Sequence, residues 1–459
     1  VKIGRGLFCK GGGKQAQGGW VMSHLFELEC WLRRMYRQGL HFKLLLNRLE
    51  MTGQFSALQL EHYHTQHLQR VIWHCYRNVP YYQELFRKNG LKPDDFQTRN
   101  DLKKLPYMDK HTVRENFDRL IARKYMNVLC RIGSTSGSTG TPGKFLRDYH
   151  AINFENAAVW RHWHNAGDNG KKRVTIRGDI IIPVAQNHPP FWRYNPANRE
   201  WLMSGYHLSL ENSRAYIDQI LEVGPEVLYC YPSTAYLLAK FFRYHGIKYH
   251  FEAIFTSSES LDPDVRQFIE ETFDSCIYDW YGQAERVAAI SQCAQGTYHI
   301  LEDYSLVELD ETENGQELVG THLFNLVMPL LRYRTGDYIQ AETSGCACGS
   351  SFRTVEKILG RNYNYIVTPE GYRISIINHI PRGVKNLIET QFYQDKPGEV
   401  ILRVLTNGHF TEQDRALLVK NTLKHTSPSM KVIVKEVNEL PRGPNGKFIS
   451  IVNKLESMN

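Results

Sequence analysis

A chain of 459 residues exceeds what one ordinary hydrophobic core supports, so two or more domains are expected. Its 42% hydrophobic and 23% charged residues are the proportions of a soluble globular protein, and no apolar run approaches the length of a membrane span. The net charge of +8 is mild, and half of it comes from Lys2, Arg5, Lys10 and Lys14. That excludes a nucleic-acid-binding reading and leaves a local positive site for a small anionic substrate. Nine scattered cysteines, an odd count, and no export signal point to reduced thiols and a cytoplasmic protein.

In chain order, residues 1–21 carry seven glycines and no apolar period, and read as a disordered or non-native leader with Met22 as the expected start. Residues 23–50 mix apolar and basic positions and predict a helical arm. Leu68, Val71, Ile72 and Cys75 recur at helical spacing and predict a helix that stops before Pro80. Val128 to Ile132 has strand character, and a helix is expected over 149–164.

Between these two lies Ser134-Thr135-Ser136-Gly137-Ser138-Thr139-Gly140-Thr141-Pro142-Gly143-Lys144. Composition alone fits a flexible linker. Its place between strand and helix fits a phosphate loop, where glycine brings N–H groups close, hydroxyls donate and a lysine adds charge. It is not a Walker loop. That spacing would need glycine at Ser138, and Phe145 stands where a magnesium-binding hydroxyl belongs.

The middle of the chain alternates. Helices are expected over 211–223, from a Ser233 cap to about 244, and over 263–273. Strands are expected over 227–231, 253–256 and 276–280. This spacing predicts an α/β sheet with crossovers, whose ligands collect at the C-terminal strand ends. Ser258-Glu259 and Tyr281-Gly282 sit at such ends. Beyond Gly360 the pattern becomes strand (399–405), helix (411–425) and strand (432–437), a small separate α+β unit.

Four further stretches follow in order: Tyr281-Gly282-Gln283-Ala284-Glu285, then Arg332-Tyr333-Arg334-Thr335-Gly336-Asp337, then Gly360-Arg361, then Leu440-Pro441-Arg442-Gly443-Pro444-Asn445-Gly446-Lys447-Phe448. With the loop at 134–144, this set resembles the adenylate-forming ligase superfamily. Asn78-Val79-Pro80-Tyr81-Tyr82 and Cys346-Ala347-Cys348-Gly349 resemble its phenylacetate–CoA ligase-like branch, close to the CapK-type proteins of capsular polysaccharide clusters.

The resemblance implies a large N-terminal α/β domain (22–360, with the helical arm to about 110) and a small mobile lid (361–459). It implies ATP-dependent activation of a carboxylic acid to an acyl-adenylate, then transfer to CoA. Thr135 to Thr141, Lys144, Ser258, Glu259, Tyr281, Gly282, Gln283, Asp337 and Arg361 would hold the nucleotide. Glu285 would hold Mg2+ and Lys447 would bridge carboxylate and α-phosphate. Cys293, His299, Cys346 and Cys348 offer soft and borderline ligands for a structural Zn2+, and His299 with Cys346 and Cys348 matches positions where some members of the branch carry one. Scattered core cysteines are the plainer alternative.

Three positions depart from the pattern. Tyr363 replaces the usual hinge aspartate, Ala284 removes a phosphate-binding hydroxyl, and Gly143 stands where a bulkier residue is common. The first weakens the CoA half-reaction, so an amine or hydroxyl acceptor is the alternative. A catalytically degenerate nucleotide-binding homologue is the other, and retention of Lys447, Glu285 and Asp337 argues against it. Trp160, Trp163, Tyr229 and Tyr231 are candidates for an aromatic acid pocket.

Overall fold

The computed structural model describes residues 18–125, 130–134, 143–313, 315–341, 345–361, 365–374, 380–443 and 446–455. Four helices open the chain: α1 (Gly18–Gln38), α2 (Leu40–Thr52), α3 (Ala57–Asn78) and α4 (Pro80–Lys88). The first begins inside the stretch read as leader. A capping box between Ser56 and Gln59 starts α3, and Pro80 ends it by serving as the first residue of α4. The expected stripe Leu68, Val71, Ile72 and Cys75 is completely buried. After a short α5 (Lys110–Glu115) come β1 (Arg131–Ser134), β2 (Lys144–Arg147) and α6 (Tyr149–Asn165).

The expected strand–loop–helix around the Ser/Gly stretch is corrected here. β1 and β2 pair antiparallel with Ser134 facing Lys144, so a strand intervenes between the Ser/Gly stretch and α6. Phe145 is buried while Lys144 is exposed, an alternation that makes 144–147 a strand. Asp148 then caps α6, accepting from the Ala151 N–H at 2.8 Å.

A single twelve-stranded sheet forms the body. Its first half is β3 (Arg173–Arg177), β4 (Trp192–Asn195), β5 (Glu200–Ser204), α7 (Ser213–Val223), β6 (Val227–Cys230), α8 (Pro232–Tyr244), β7 (Ala253–Ser257), α9 (Pro263–Phe273) and β8 (Ile277–Gly282). The strands β5, β3, β6, β7 and β8 are parallel neighbours in that order, the crossover sheet expected from the alternation. Their apolar residues pack with α7, α8 and α9 in one cluster around Ile176, Leu228, Phe241 and Ile254. Ser233 does not cap α8. Pro232 occupies the first helical position and Ser233 lies inside the helix.

The second half is antiparallel: β9 (Ala289–Gln292), β10 (Tyr298–Ile300), β11 (Ser305–Thr312), β12 (Gly315–His322), β13 (Tyr333–Ala341) and β14 (Thr354–Arg361). It carries the α3–α4 face on a separate core with Leu323, Leu330 and Tyr333. Thr335-Gly336-Asp337 lies inside β13. It is a bulge: the register against β12 shifts there, and Gly336 takes φ of +69°, which a side chain would oppose.

The smaller C-terminal part has β15 (Ile366–Val367), β16 (Arg373–Ile374), β17 (Leu387–Lys396), β18 (Glu399–Thr406), α10 (Glu412–His425), β19 (Lys431–Glu436) and β20 (Ile451–Asn453). Four of these strands make a sheet in the order β19-β18-β17-β20, with its own core of Phe392, Val400, Leu402 and Leu418. The whole is a large mixed α/β domain followed by a small α+β domain. No helix of the described residues is long and apolar enough to cross a membrane.

Candidate active site

The C-terminal ends of β3, β6, β7 and β8 open onto a cleft of about 900 Å³, closed on its far side by the C-terminal domain. Tyr281, at the end of β8, donates its hydroxyl to Asp337 Oδ2 at 2.8 Å. Two expected nucleotide residues, far apart in sequence, are thus joined by the β13 bulge, which is itself held by Asp337 N–H to Thr335 Oγ1 at 3.0 Å and Gly336 N–H to Glu317 Oε1 at 3.0 Å. Arg361 pairs with Asp337 across β13 and β14 through its backbone, and its side chain lies outside the described residues. A Cβ on Gly282 would meet Trp280 Nε1 at 2.8 Å, so glycine is set there by packing. The Gln283 amide pairs with Ala288, donating to its carbonyl at 2.5 Å and accepting from its N–H at 3.1 Å.

Glu285 is buried, not the exposed helix-start acid its position suggests. Tyr333 donates to Glu285 Oε1 at 3.0 Å, and His322 Nε2–H donates to its backbone carbonyl at 2.8 Å. His322 accepts the Leu330 N–H through Nδ1 at 3.1 Å, which fixes that tautomer, and burial lowers its pKa to about 4, so it stays neutral. A carboxylate lining a cleft and oriented in this way is an oxygen donor suited to Mg2+.

Thr135, Ser136, Gly137, Ser138, Thr139, Gly140 and Thr141 lie outside the described residues. Ser134 and Lys144, the facing ends of β1 and β2, flank them in sequence, and Ser134 lines the cleft. Arg147, at the end of β2, also lines it and donates to the Ala284 carbonyl.

From the other side comes a tight loop of the C-terminal domain, closed by Gly443 N–H to the Lys447 carbonyl at 2.8 Å. Lys447 Nζ donates to the Ser258 carbonyl at 2.7 Å. Ser258 has a φ of +73°, an uncommon conformation for a side-chain-bearing residue. Glu259 accepts the Ser233 N–H at 3.0 Å and the Phe448 N–H at 3.2 Å, so its carboxylate ties the start of α8 to the incoming loop. Burial raises its pKa, opposed by the Ser233 hydrogen bonds and the Lys447 charge.

A second cluster lies away from the cleft. Cys293 follows β9, His299 is in β10, and Cys346 and Cys348 precede β14. Their four donor atoms lie within 4.8 Å of one another. Cys293 Sγ is 3.7 Å from Cys346 Sγ, and Cys348 Sγ is 3.4 Å from His299 Nε2. His299 Nδ1 faces the Phe352 carbonyl at 3.3 Å, which leaves Nε2 for the cysteines. Although burial raises the Cys346 thiol, hydrogen bonds from Thr297, Cys348 and His299 hold it at about 6, while burial pushes Cys348 to about 11. Three sulfurs and one imidazole this close match the donor set of a tetrahedral zinc.

Sequence reasoning missed several residues here. Arg177, Arg147 and His322 have no motif of their own, and Tyr333 lies in a motif that assigns it no role. The one available signal for Arg177 is its place, a cation at the end of a strand whose neighbour β6 carries Tyr229 next to its last residue, with Tyr231 just beyond it. Trp160 and Trp163, proposed for the acid pocket, pack in the core; the cleft takes Tyr229.

Residues 366–454 match the family model described as "CapK C-terminal domain". Over 390 residues the chain is 27% identical to Protein CapK of Staphylococcus aureus, covering 83% of this chain and 86% of that one. It is 25% identical over 321 residues to a phenylacetate-coenzyme A ligase of Thermus thermophilus, covering 66% and 70%. Among solved structures, 2-hydroxyisobutyryl-CoA ligase in its postadenylation state superposes with a TM-score of 0.66 at 15% identity, covering 89% of this chain and 93% of that chain. The chain thus has the two-domain architecture of the adenylate-forming ligases, and its sequence is similar to CapK and to the phenylacetate–CoA ligases.

Proposed function

We propose that the protein uses ATP to activate a carboxylic acid as an acyl-adenylate, releasing pyrophosphate. The observation that carries this reading is the convergence of Tyr281, Asp337, Glu285 and Lys447 on one cleft from three separate stretches of sequence. Tyr281 offers a ring for the adenine, and Asp337, steadied by the Tyr281 hydroxyl, offers a carboxylate to the ribose hydroxyls. The loop 135–141 with Lys144 suits the β- and γ-phosphates. Glu285 is the residue that would hold Mg2+, which neutralises phosphate charge when bound.

In the reaction, an acid oxygen attacks the α-phosphorus, and the bond to the bridging oxygen breaks with its electrons leaving on pyrophosphate. Charge gathers on oxygens at the α-phosphate, and Lys447 is the cation aimed there. It reaches the cleft only while the C-terminal domain is docked, so that domain acts as the lid whose movement gates the reaction.

For the second half, we favour an amine or hydroxyl acceptor over CoA. The likeness to Protein CapK spans more of the chain than that to the phenylacetate–CoA ligase, and the hinge departs from the usual aspartate at Tyr363. The cysteine–histidine cluster would hold one structural Zn2+.

The test is pyrophosphate exchange across a panel of acids, paired with calorimetric ATP binding. Lys447→Ala should lower exchange by about a hundredfold or more and change ATP affinity little, because the lost cation acts on charge that develops during the reaction. Intact exchange in that variant would reject the role of Lys447, and no exchange or ATP binding in the native protein would reject adenylation. Product analysis with CoA, hydroxyl and amine acceptors then decides the second half.

A further inference from the structure

Arg177 is the last residue of β3, in the parallel half of the sheet. Its guanidinium lies over the Tyr229 ring at 4.6 Å and the Tyr231 ring at 4.9 Å. It donates to the Tyr229 hydroxyl, and Nη2 donates to Ser258 Oγ at 3.0 Å. No carboxylate of the described residues forms an ion pair with it; Asp179, exposed beyond Gly178, acts on it only from a distance. A half-buried cation with neutral partners, lining a cleft, is poised for an anion.

Its position says which anion. Tyr281, the residue offered to the adenine, sits at the end of β8, and β7 and β6 separate β8 from β3. At the usual strand spacing that is about 14 Å. Arg177 therefore stands across the cleft from Tyr281, beside Lys447, on the side we assign to the acid. Both cations are fastened to one residue: Lys447 Nζ to the Ser258 carbonyl at 2.7 Å, and Arg177 to the Ser258 hydroxyl. Tyr231 lies under both, 5.8 Å from Lys447 Nζ. The lid also reaches this spot, since a Cβ on Gly446 would come 2.5 Å from the Gly178 Cα. An acid held under the docked lid is thus enclosed between two positive groups a few atoms apart.

Building on the adenylation reading, we propose that the acid is short and carries a second anionic group, a carboxylate or a phosphate, which Arg177 binds while the reacting carboxylate faces Lys447. An arylacetate or a simple fatty acid would cover the guanidinium and leave it without an anionic partner, which disfavours those substrates.

The test titrates malonate, succinate, glutarate and 3-phosphoglycerate into the AMP-loaded protein by calorimetry. Butyrate and phenylacetate serve as single-charge controls, and pyrophosphate exchange is measured with the same acids. One doubly charged acid should bind and support exchange well above its single-charge counterpart. Arg177→Met keeps the apolar stack on the tyrosines and should weaken that acid on the order of ten- to a hundredfold, with KM rising more than kcat falls and selectivity over butyrate lost. Arg177→Lys should recover part of it. The carboxylate and phosphate arms separate the two sources of charge. AMP affinity and melting temperature report whether each variant is folded. Equal use of single-charge acids, or Arg177→Met without effect on selectivity, would overturn the proposal and leave adenylation standing. Absence of AMP binding in the native protein would overturn both.

Discussion

At the scale of single residues, the contact between Tyr281 and Asp337 is the most informative pair in the cleft. The hydroxyl donates to Asp337 Oδ2, so it positions a carboxylate that the ribose would share. Asp337→Ala should weaken ATP binding as well as turnover, the reverse of the split expected for Lys447→Ala. Tyr281→Phe keeps the ring and removes one hydrogen bond, worth on the order of 1 kcal/mol. Its effect on ATP affinity should therefore be several-fold and smaller than that of Asp337→Ala, as read by calorimetry. A Tyr281→Phe variant weaker than Asp337→Ala would mean that the ring's partner is not Asp337. The motif around Asp337 was legible in sequence, but its geometry was not. Thr335-Gly336 looks like a turn because glycine at positive φ is common to turns and bulges, and only the register against β12 distinguishes them. Arg332 and Arg334 in the same motif serve the fold instead: Arg332 is buried in a fork with Glu308 at 2.9–3.2 Å, and Arg334 pairs with Glu317.

At the scale of elements, α9 was readable to the residue, because Asp262 caps it and Pro263 fills its first position. The parallel strands were readable because they alternate with helices. The antiparallel strands β9 to β14 were less so, since their partners come from registers that sequence spacing does not reveal. The cysteine–histidine cluster depends on that half: β9 and β10 bring Cys293 and His299 together, and the loop before β14 adds Cys346 and Cys348. A metal there would fasten two connections of the sheet at once. Zinc should therefore co-purify at about one per chain. Cys346→Ser should lower zinc content and melting temperature together, and chelation should reproduce the loss of stability. Elemental analysis finding no zinc in protein prepared without chelator would reject the site.

At the scale of the whole molecule, one side chain at the meeting of the two domains is a half-buried lysine. Lys240 in α8 donates to the carbonyls of Leu387 and Ile388 at 2.9 and 2.5 Å and lies 4.4 Å from the Tyr236 ring. Burial lowers its pKa to about 8, against a smaller opposing pull from Glu389, whose own carboxylate is forked by Arg442 at 2.8–2.9 Å. When the lid leaves, Lys240 returns to water and to an ordinary lysine value near 10.5. The undocked state then binds more protons between about pH 8 and 10.5. Docking should strengthen as pH rises through that window and be flat below it. Limited proteolysis or scattering across pH 7–10 should show this trend, and Lys240→Met should remove it.

Gly446 tests the same docking from the lid side. Its φ of +67° and the 2.5 Å approach of a built Cβ to the Gly178 Cα leave no room for a side chain while the domains are docked. Gly446→Ala must displace the loop that carries Lys447, while the nucleotide contacts at Tyr281 and Asp337 lie in the other domain. Pyrophosphate exchange should fall toward the level of Lys447→Ala, and ATP affinity should hold. Because both changes remove one cation from one place, the double variant should be little worse than either single one. Additive losses in the double variant would show that Lys447 still reaches the cleft without the docked loop, and the gating role of the lid would fall.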